Sequence, residues 1–135
     1  MGRRLEADDG LGAPSGALVL EDQILIALEI ETVLIEMGFS PVHLASTVDQ
    51  AMLLLDLGMF RLAVLDYQIG VESSEPVALR LRNAGIPFFL VTGHDLAIGH
   101  AHPFAGMPVV SKPFAQNAIN EAVAAAATPC RSSDQ

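Results

Sequence analysis

The sequence predicts an α/β fold: a five-stranded parallel sheet with helices on both faces. Five short apolar runs alternate with segments of helical period along the chain. The runs are apolar throughout, without the polar alternation of a sheet that keeps one face in water. Composition bounds the rest. With 135 residues, 51% of them apolar, and a mean hydropathy of +0.43, the chain can fold one domain with a substantial core.

Residues 1–16, rich in glycine and charge and without period, read as a flexible N-terminal segment, and residues 128–135 as a frayed C-terminal tail. The folded domain expected between them is 17–127. Ala17-Leu18-Val19-Leu20 reads as a buried first strand, ended by Glu21-Asp22. Residues 23–37 place Ile24, Leu25, Leu28, Val33, Leu34 and Met37 at helical spacing, and Gly38 is a natural stop. Pro41 to Ala45 is a second strand. Ser46 or Thr47 then caps a helix running to about Leu57, with Gly58 after it. Leu62-Ala63-Val64-Leu65 is a third strand ending in Asp66, followed by a polar loop through Gly70. Pro76 suits the first turn of a helix that ends near Ala84-Gly85. Pro87 to Val91 is a fourth strand, closed by Thr92-Gly93. Residues 95–105 hold Gly99 and Pro103, so any helix there is short and weak. Pro108 to Ser111 is a fifth strand, and Ala115 to Ala127 is an alanine-rich helix.

Charge narrows the function. Sixteen acids against seven bases leave a formal charge of -9, and within 17–127 the acids outnumber the bases 12 to 4. A binder of phosphate backbones needs clustered Lys and Arg, so nucleic acid is not an expected partner. The single cysteine, Cys130, excludes an internal disulfide and a multi-cysteine zinc site. His94, His100 and His102 lack an i, i+4 register, and Gly99 and Pro103 loosen their scaffold, so zinc is not expected there either. Met1-Gly2-Arg3-Arg4 runs into Asp8 and Asp9, not into an apolar signal core, and no apolar run has transmembrane length. The expectation is a cytoplasmic protein without a membrane partner. Of the seven bases only one is a lysine, Lys112, and it directly precedes a proline.

Right-handed crossovers put all five strand C-termini on one edge of such a sheet, where its functional site lies. The first strand delivers Glu21 and Asp22 to that edge, the third Asp66, the fourth Thr92 and the fifth Lys112. Taken singly, each is most simply a solvated strand end. Together, three carboxylates repel one another and call for a cation. Hard oxygen ligands suit Mg²⁺ acting with phosphoryl oxygens. A carboxylate beside that ion can attack phosphorus to form an aspartyl-phosphate, with the hydroxyl and the ammonium on the remaining phosphoryl oxygens.

The acidic pair after the first strand, Asp66, Thr92-Gly93 and Ser111-Lys112-Pro113-Phe114 resemble, in this order, a response-regulator receiver domain. The resemblance covers about residues 17–127. It implies a flavodoxin-like (βα)5 sandwich with strand order 2-1-3-4-5. It also implies Asp66 as phosphoacceptor, Asp22 as a direct Mg²⁺ ligand, Glu21 as a ligand through water and the Gln68 carbonyl completing the set. Thr92 and Lys112 would follow the phosphoryl group, with Pro113 in a cis peptide that aims the lysine inward. Gly85-Ile86-Pro87-Phe88-Phe89-Leu90-Val91-Thr92-Gly93-His94 is similar to the signature of stand-alone FAT GUY receivers, with Leu90-Val91 in place of Phe-Ala. Typical receivers carry Tyr or Phe three positions before the lysine; Val109 stands there, so an aromatic switch at that position is excluded. The loop after Gly93 is the expected moving element.

The resemblance implies a single-domain bacterial response regulator, not an enzyme. Its phosphoryl donor would be a sensor histidine kinase or a histidine phosphotransfer protein. The length leaves no room for an output domain, so output would be protein–protein contact or removal of phosphoryl groups from a kinase. Two alternatives stay open. A pseudo-receiver would bind partners without phosphorylation, although such domains usually lose the acceptor or the lysine. A phosphatase of the haloacid-dehalogenase type also uses an aspartyl-phosphate, but its nucleophile comes first along the chain, with a second Asp two residues on. Here the acidic pair comes first and residue 68 is Gln.

Overall fold

The computed structural model describes residues 15–93, 104 and 106–127. The weak helix expected within 95–105, His94, His100, His102 and Cys130 lie outside the described residues. The elements are β1 (Ala17–Leu20), α1 (Ile24–Glu36), β2 (Val42–Ala45), α2 (Val48–Leu57), β3 (Leu62–Asp66), β4 (Gln68–Ile69), β5 (Glu72–Ser73), α3 (Glu75–Ala84), β6 (Phe88–Thr92), β7 (Val109–Ser111) and α4 (Gln116–Ala127). The main sheet has the order β2-β1-β3-β6-β7, and all four of its pairings are parallel. Counted among these five strands alone, that is 2-1-3-4-5, the flavodoxin-like order. No helix among the described residues is long and apolar enough to cross a membrane.

Strand periodicity sorts the core into two layers. Leu18, Leu20, Ala63, Leu65, Phe88 and Leu90 meet Ala51 and Leu55 of α2 and Val77, Ala78 and Leu81 of α3. Their neighbours Ala17, Val19, Leu62, Val64, Phe89 and Val91 meet Ile30, Val33 and Leu34 of α1 and Ile119, Ala122 and Val123 of α4. Every strand residue from Ala17 to Leu20 and from Phe88 to Thr92 is buried, which is why these runs are apolar without alternation. Each large side chain so buried contributes about 1.5–3 kcal/mol.

Local signals set the ends. The Thr47 hydroxyl accepts from the Gln50 amide at 3.1 Å, and the Gln50 side chain in return accepts from the Ser46 amide at 2.8 Å. Gly85 closes α3 in the left-handed region at φ 74. Ser15 and Gly16, which the sequence assigns to the lead-in, are tied to the domain. The Ser40 amide donates to the Ser15 carbonyl at 3.0 Å, and the Arg61 amide to the Gly16 carbonyl at 2.8 Å.

Two features differ from the sequence reading. The loop after Asp66 contains an antiparallel hairpin, β4 with β5, turning at Gly70-Val71. Strands of two residues are too short to show a period. In α1 the apolar spacing picked the wrong face in part: Ala27, Ile30, Val33 and Leu34 are buried, whereas Ile24, Leu25, Leu28 and Met37 are exposed. Apolar residues lie on the exposed side of this helix as well as the buried one, so period alone cannot choose its inner side.

Candidate functional site

The carboxyl edge of the sheet gathers the predicted residues. Glu21 and Asp22 follow β1, Asp66 ends β3, Thr92 ends β6 and Lys112 follows β7. In-register pairing of β1, β3 and β6 brings these ends level with one another. Glu21, Asp22 and Asp66 each present a carboxylate oxygen, and these oxygens lie within 4.8 Å of one another. Glu21 and Asp66 are 3% and 6% exposed, while Asp22 is open to solvent.

Lys112 reaches into this set. Its Nζ donates to Asp66 Oδ2 at 2.9 Å and lies 3.0 Å from Glu21 Oε1. The second contact is an ion pair that holds the buried Glu21 carboxylate beside the ammonium. The other Glu21 oxygen, Oε2, accepts from the Gln23 amide at 3.1 Å. Lys112 is itself fixed by its amide, which donates to the Thr92 carbonyl at 2.9 Å. The Lys112–Pro113 peptide is cis.

The electrostatics follow from burial. Burial pushes the Glu21 carboxyl from 4.5 up to about 7; the ammonium of Lys112 pulls the other way, and the charge of Asp66 adds to the rise. Burial also works against the charge on Lys112, but Asp66 and Glu21 outweigh it and hold its pKa above the usual lysine value. One cation therefore faces two buried carboxylates.

An open cleft of about 450 Å³ lies over this cluster, lined by Asp22, Gln23, Asp66, Gln68, Gly70, Gly93 and Lys112. Thr92 does not line it. Its side chain is fully buried. The sequence missed one participant: the Gly70 amide donates to Asp22 Oδ2 at 3.1 Å. A glycine inside an acidic loop was the only available signal. The donor set fits a hard divalent cation. Glu21, Asp22 and Asp66 bring three hard carboxylate oxygens within 4.8 Å of one another beside a solvent-open cleft.

No family model and no curated protein matches the chain. Solved structures do. SdrG from Sphingomonas melonis Fr1 is 33% identical over 87% of this chain and all of its own, with a TM-score of 0.73. A BeF3-activated conformation of SdrG matches at a TM-score of 0.71. The response regulator PhyR from Brucella abortus is 25% identical over 84% of this chain and 48% of its own, with a TM-score of 0.72. A response regulator receiver protein from Sinorhizobium medicae WSM419 matches in fold at 23% identity and a TM-score of 0.74, over 85% of this chain and 94% of its own.

Proposed function

The chain belongs to the response-regulator receiver family, and from that premise we propose that residues 17–127 accept a phosphoryl group on Asp66 and signal through protein contacts. The observation that carries this reading is the Lys112 ammonium, 2.9 Å from Asp66 Oδ2 at the floor of an acidic cleft. A carboxylate in that position is a nucleophile with a cation already placed beside the charge that phosphoryl transfer develops.

Asp66 attacks the phosphorus of a phosphohistidine. The P–O bond to the carboxylate forms as the P–N bond breaks, and the imidazole leaves with the electron pair and is then protonated. Lys112 passes from Asp66 Oδ2 to a phosphoryl oxygen. The Thr92 hydroxyl, buried at the end of β6, meets a second phosphoryl oxygen. Asp22, Asp66 and the Gln68 carbonyl would hold Mg²⁺, with Glu21 acting through water. When bound, the ion neutralises phosphoryl oxygens that three carboxylates would otherwise repel.

The donor is a sensor histidine kinase or a histidine phosphotransfer protein, and α1 supplies a docking face for it. The solvent side of α1 carries Ile24, Leu25, Leu28 and Ile35, with Leu25 78% exposed, flanked by Glu29 and Glu36. This apolar stripe starts two residues after Asp22, beside the cleft. A helical partner face with an apolar seam and basic flanks complements it. The relative's BeF3-activated conformation supports the same chemistry, since a fluoride complex on a carboxylate imitates a phosphoryl group.

The test is incubation with acetyl phosphate and Mg²⁺, followed by intact mass. The wild type gains the mass of one phosphoryl group and Asp66→Asn gains none. A folded wild type that stays unmodified overturns the reading in favour of a phosphorylation-independent interaction module.

A further inference from the structure

We propose that the β4–β5 hairpin is a clamp that sets Asp22 in the cleft, with Ser74 as a positioning residue that anchors it. The proposal rests on the receiver reading and deepens it, by naming what holds the exposed carboxylate in place. Asp22 is solvent-open and faces two further carboxylates. Like-charge repulsion and side-chain entropy both turn such a group outward. Among the described residues one hydrogen bond opposes them: the Gly70 amide donates to Asp22 Oδ2 across 48 residues of sequence. An amide on a carboxylate is a charge-assisted bond. It engages one oxygen of Asp22 and leaves the other for a cation.

Gly70 can aim its amide this way because it sits at φ +63, in the left-handed region. A Cβ there would meet nothing within 4 Å, so the demand for glycine is conformational and not steric crowding. The opposite end of the hairpin is fixed by Ser74, which is fully buried. Its amide at 2.9 Å and its hydroxyl at 3.1 Å both donate to the Tyr67 carbonyl. Both lone pairs of that carbonyl are engaged, and they belong to the residue directly after Asp66. Ser74 thus closes the base of the loop whose tip holds Asp22. Groups that orient metal ligands in this way commonly change metal affinity by about 10–100-fold when removed.

The experiment is a Mg²⁺ titration of the full chain, followed by calorimetry and by tyrosine fluorescence. Tyr67 is the single tyrosine and there is no tryptophan, so the optical signal comes from beside Asp66. Ser74→Ala is expected to weaken Mg²⁺ binding about tenfold, while melting in metal-free buffer stays cooperative. Gly70→Val, which resists the left-handed backbone, is expected to weaken binding similarly. Gly70→Asn, which tolerates it, stays within about twofold of wild type. Should Ser74→Ala fail to fold, the Gly70 pair decides. Wild-type affinity in Gly70→Val, or equal losses in Gly70→Val and Gly70→Asn, overturns the clamp and leaves the receiver reading standing. A wild type that does not respond to Mg²⁺ overturns the metal reading, and the clamp with it.

Discussion

Replacing Glu21 by Gln should remove a pH dependence of stability that the cleft builds in. Glu21 is 3% exposed, and burial carries its carboxyl from 4.5 to about 7. The folded protein therefore holds a proton that the unfolded chain releases. The sign follows. The stability contributed by this group is fully present below its unfolded value of 4.5 and is lost as pH rises through about 7. The size of the shift sets the magnitude at roughly 3 kcal/mol across that window in the absence of divalent cations. The assay is urea unfolding in chelator at a series of pH values from about 5 to about 8, comparing wild type with Glu21→Gln. Other carboxylates titrate in both proteins, so the difference between the two isolates Glu21. Glu21→Gln should gain on the wild type as pH rises, by a few kcal/mol at the alkaline end. Parallel curves for the two proteins would refute the reasoning, because Glu21 would then carry no excess proton in the fold.

The other predictions concern charge, docking and packing. Lys112→Ala leaves Asp66 and Glu21 without their ammonium and should cost about 3–5 kcal/mol at alkaline pH; the loss should shrink at acid pH, as Glu21 takes up a proton, in the same urea series. Leu25→Glu on the open face of α1 should move stability by no more than about 0.5 kcal/mol. It should slow phosphoryl transfer from a histidine-containing donor about tenfold while leaving transfer from acetyl phosphate unchanged. Phe89→Ala, deep in the α1–α4 layer, should cost about 3–5 kcal/mol by calorimetric melting.

The sheet strands were legible because each is a short, mainly apolar run between charge, glycine, proline or serine; burial on both faces keeps polar residues out of the interiors of β1, β3 and β6, whereas the edge strand β2 leaves His43 exposed. The convergence of Glu21, Asp22, Asp66 and Lys112 followed from those boundaries and the one-sided placement of parallel strand ends. What escaped the sequence has physical reasons too. The β4–β5 hairpin pairs only two residues with two, and its link from Gly70 to Asp22 is a long-range backbone-to-side-chain contact. No local pattern encodes such a contact. Thr92 was placed at the right strand end, but it is fully buried and does not line the cleft, which a list of strand ends does not reveal. The face of α1 was ambiguous because Ile24, Leu25 and Leu28 are as apolar as the residues that it buries. Excess apolar surface of that kind is evidence about partners rather than about the core.

The lone lysine connects these observations. In a chain that otherwise uses arginine, Lys112 is the cation that both Glu21 and Asp66 face. Its ammonium donates to the oxygen that the proposed function makes the nucleophile. A guanidinium would hold Asp66 bidentately and rigidly, whereas an ammonium on a flexible stem can pass from one oxygen to another at small cost. On the proposed function that freedom matters, since the same charge must steady two carboxylates before transfer and a phosphoryl oxygen after it. Lys112→Arg preserves charge and removes the freedom. It should therefore keep most of the wild-type stability at alkaline pH, unlike Lys112→Ala, while losing phosphorylation by acetyl phosphate. If Lys112→Arg phosphorylates at the wild-type rate, charge alone suffices at this position, and the argument from the mobility of the ammonium fails.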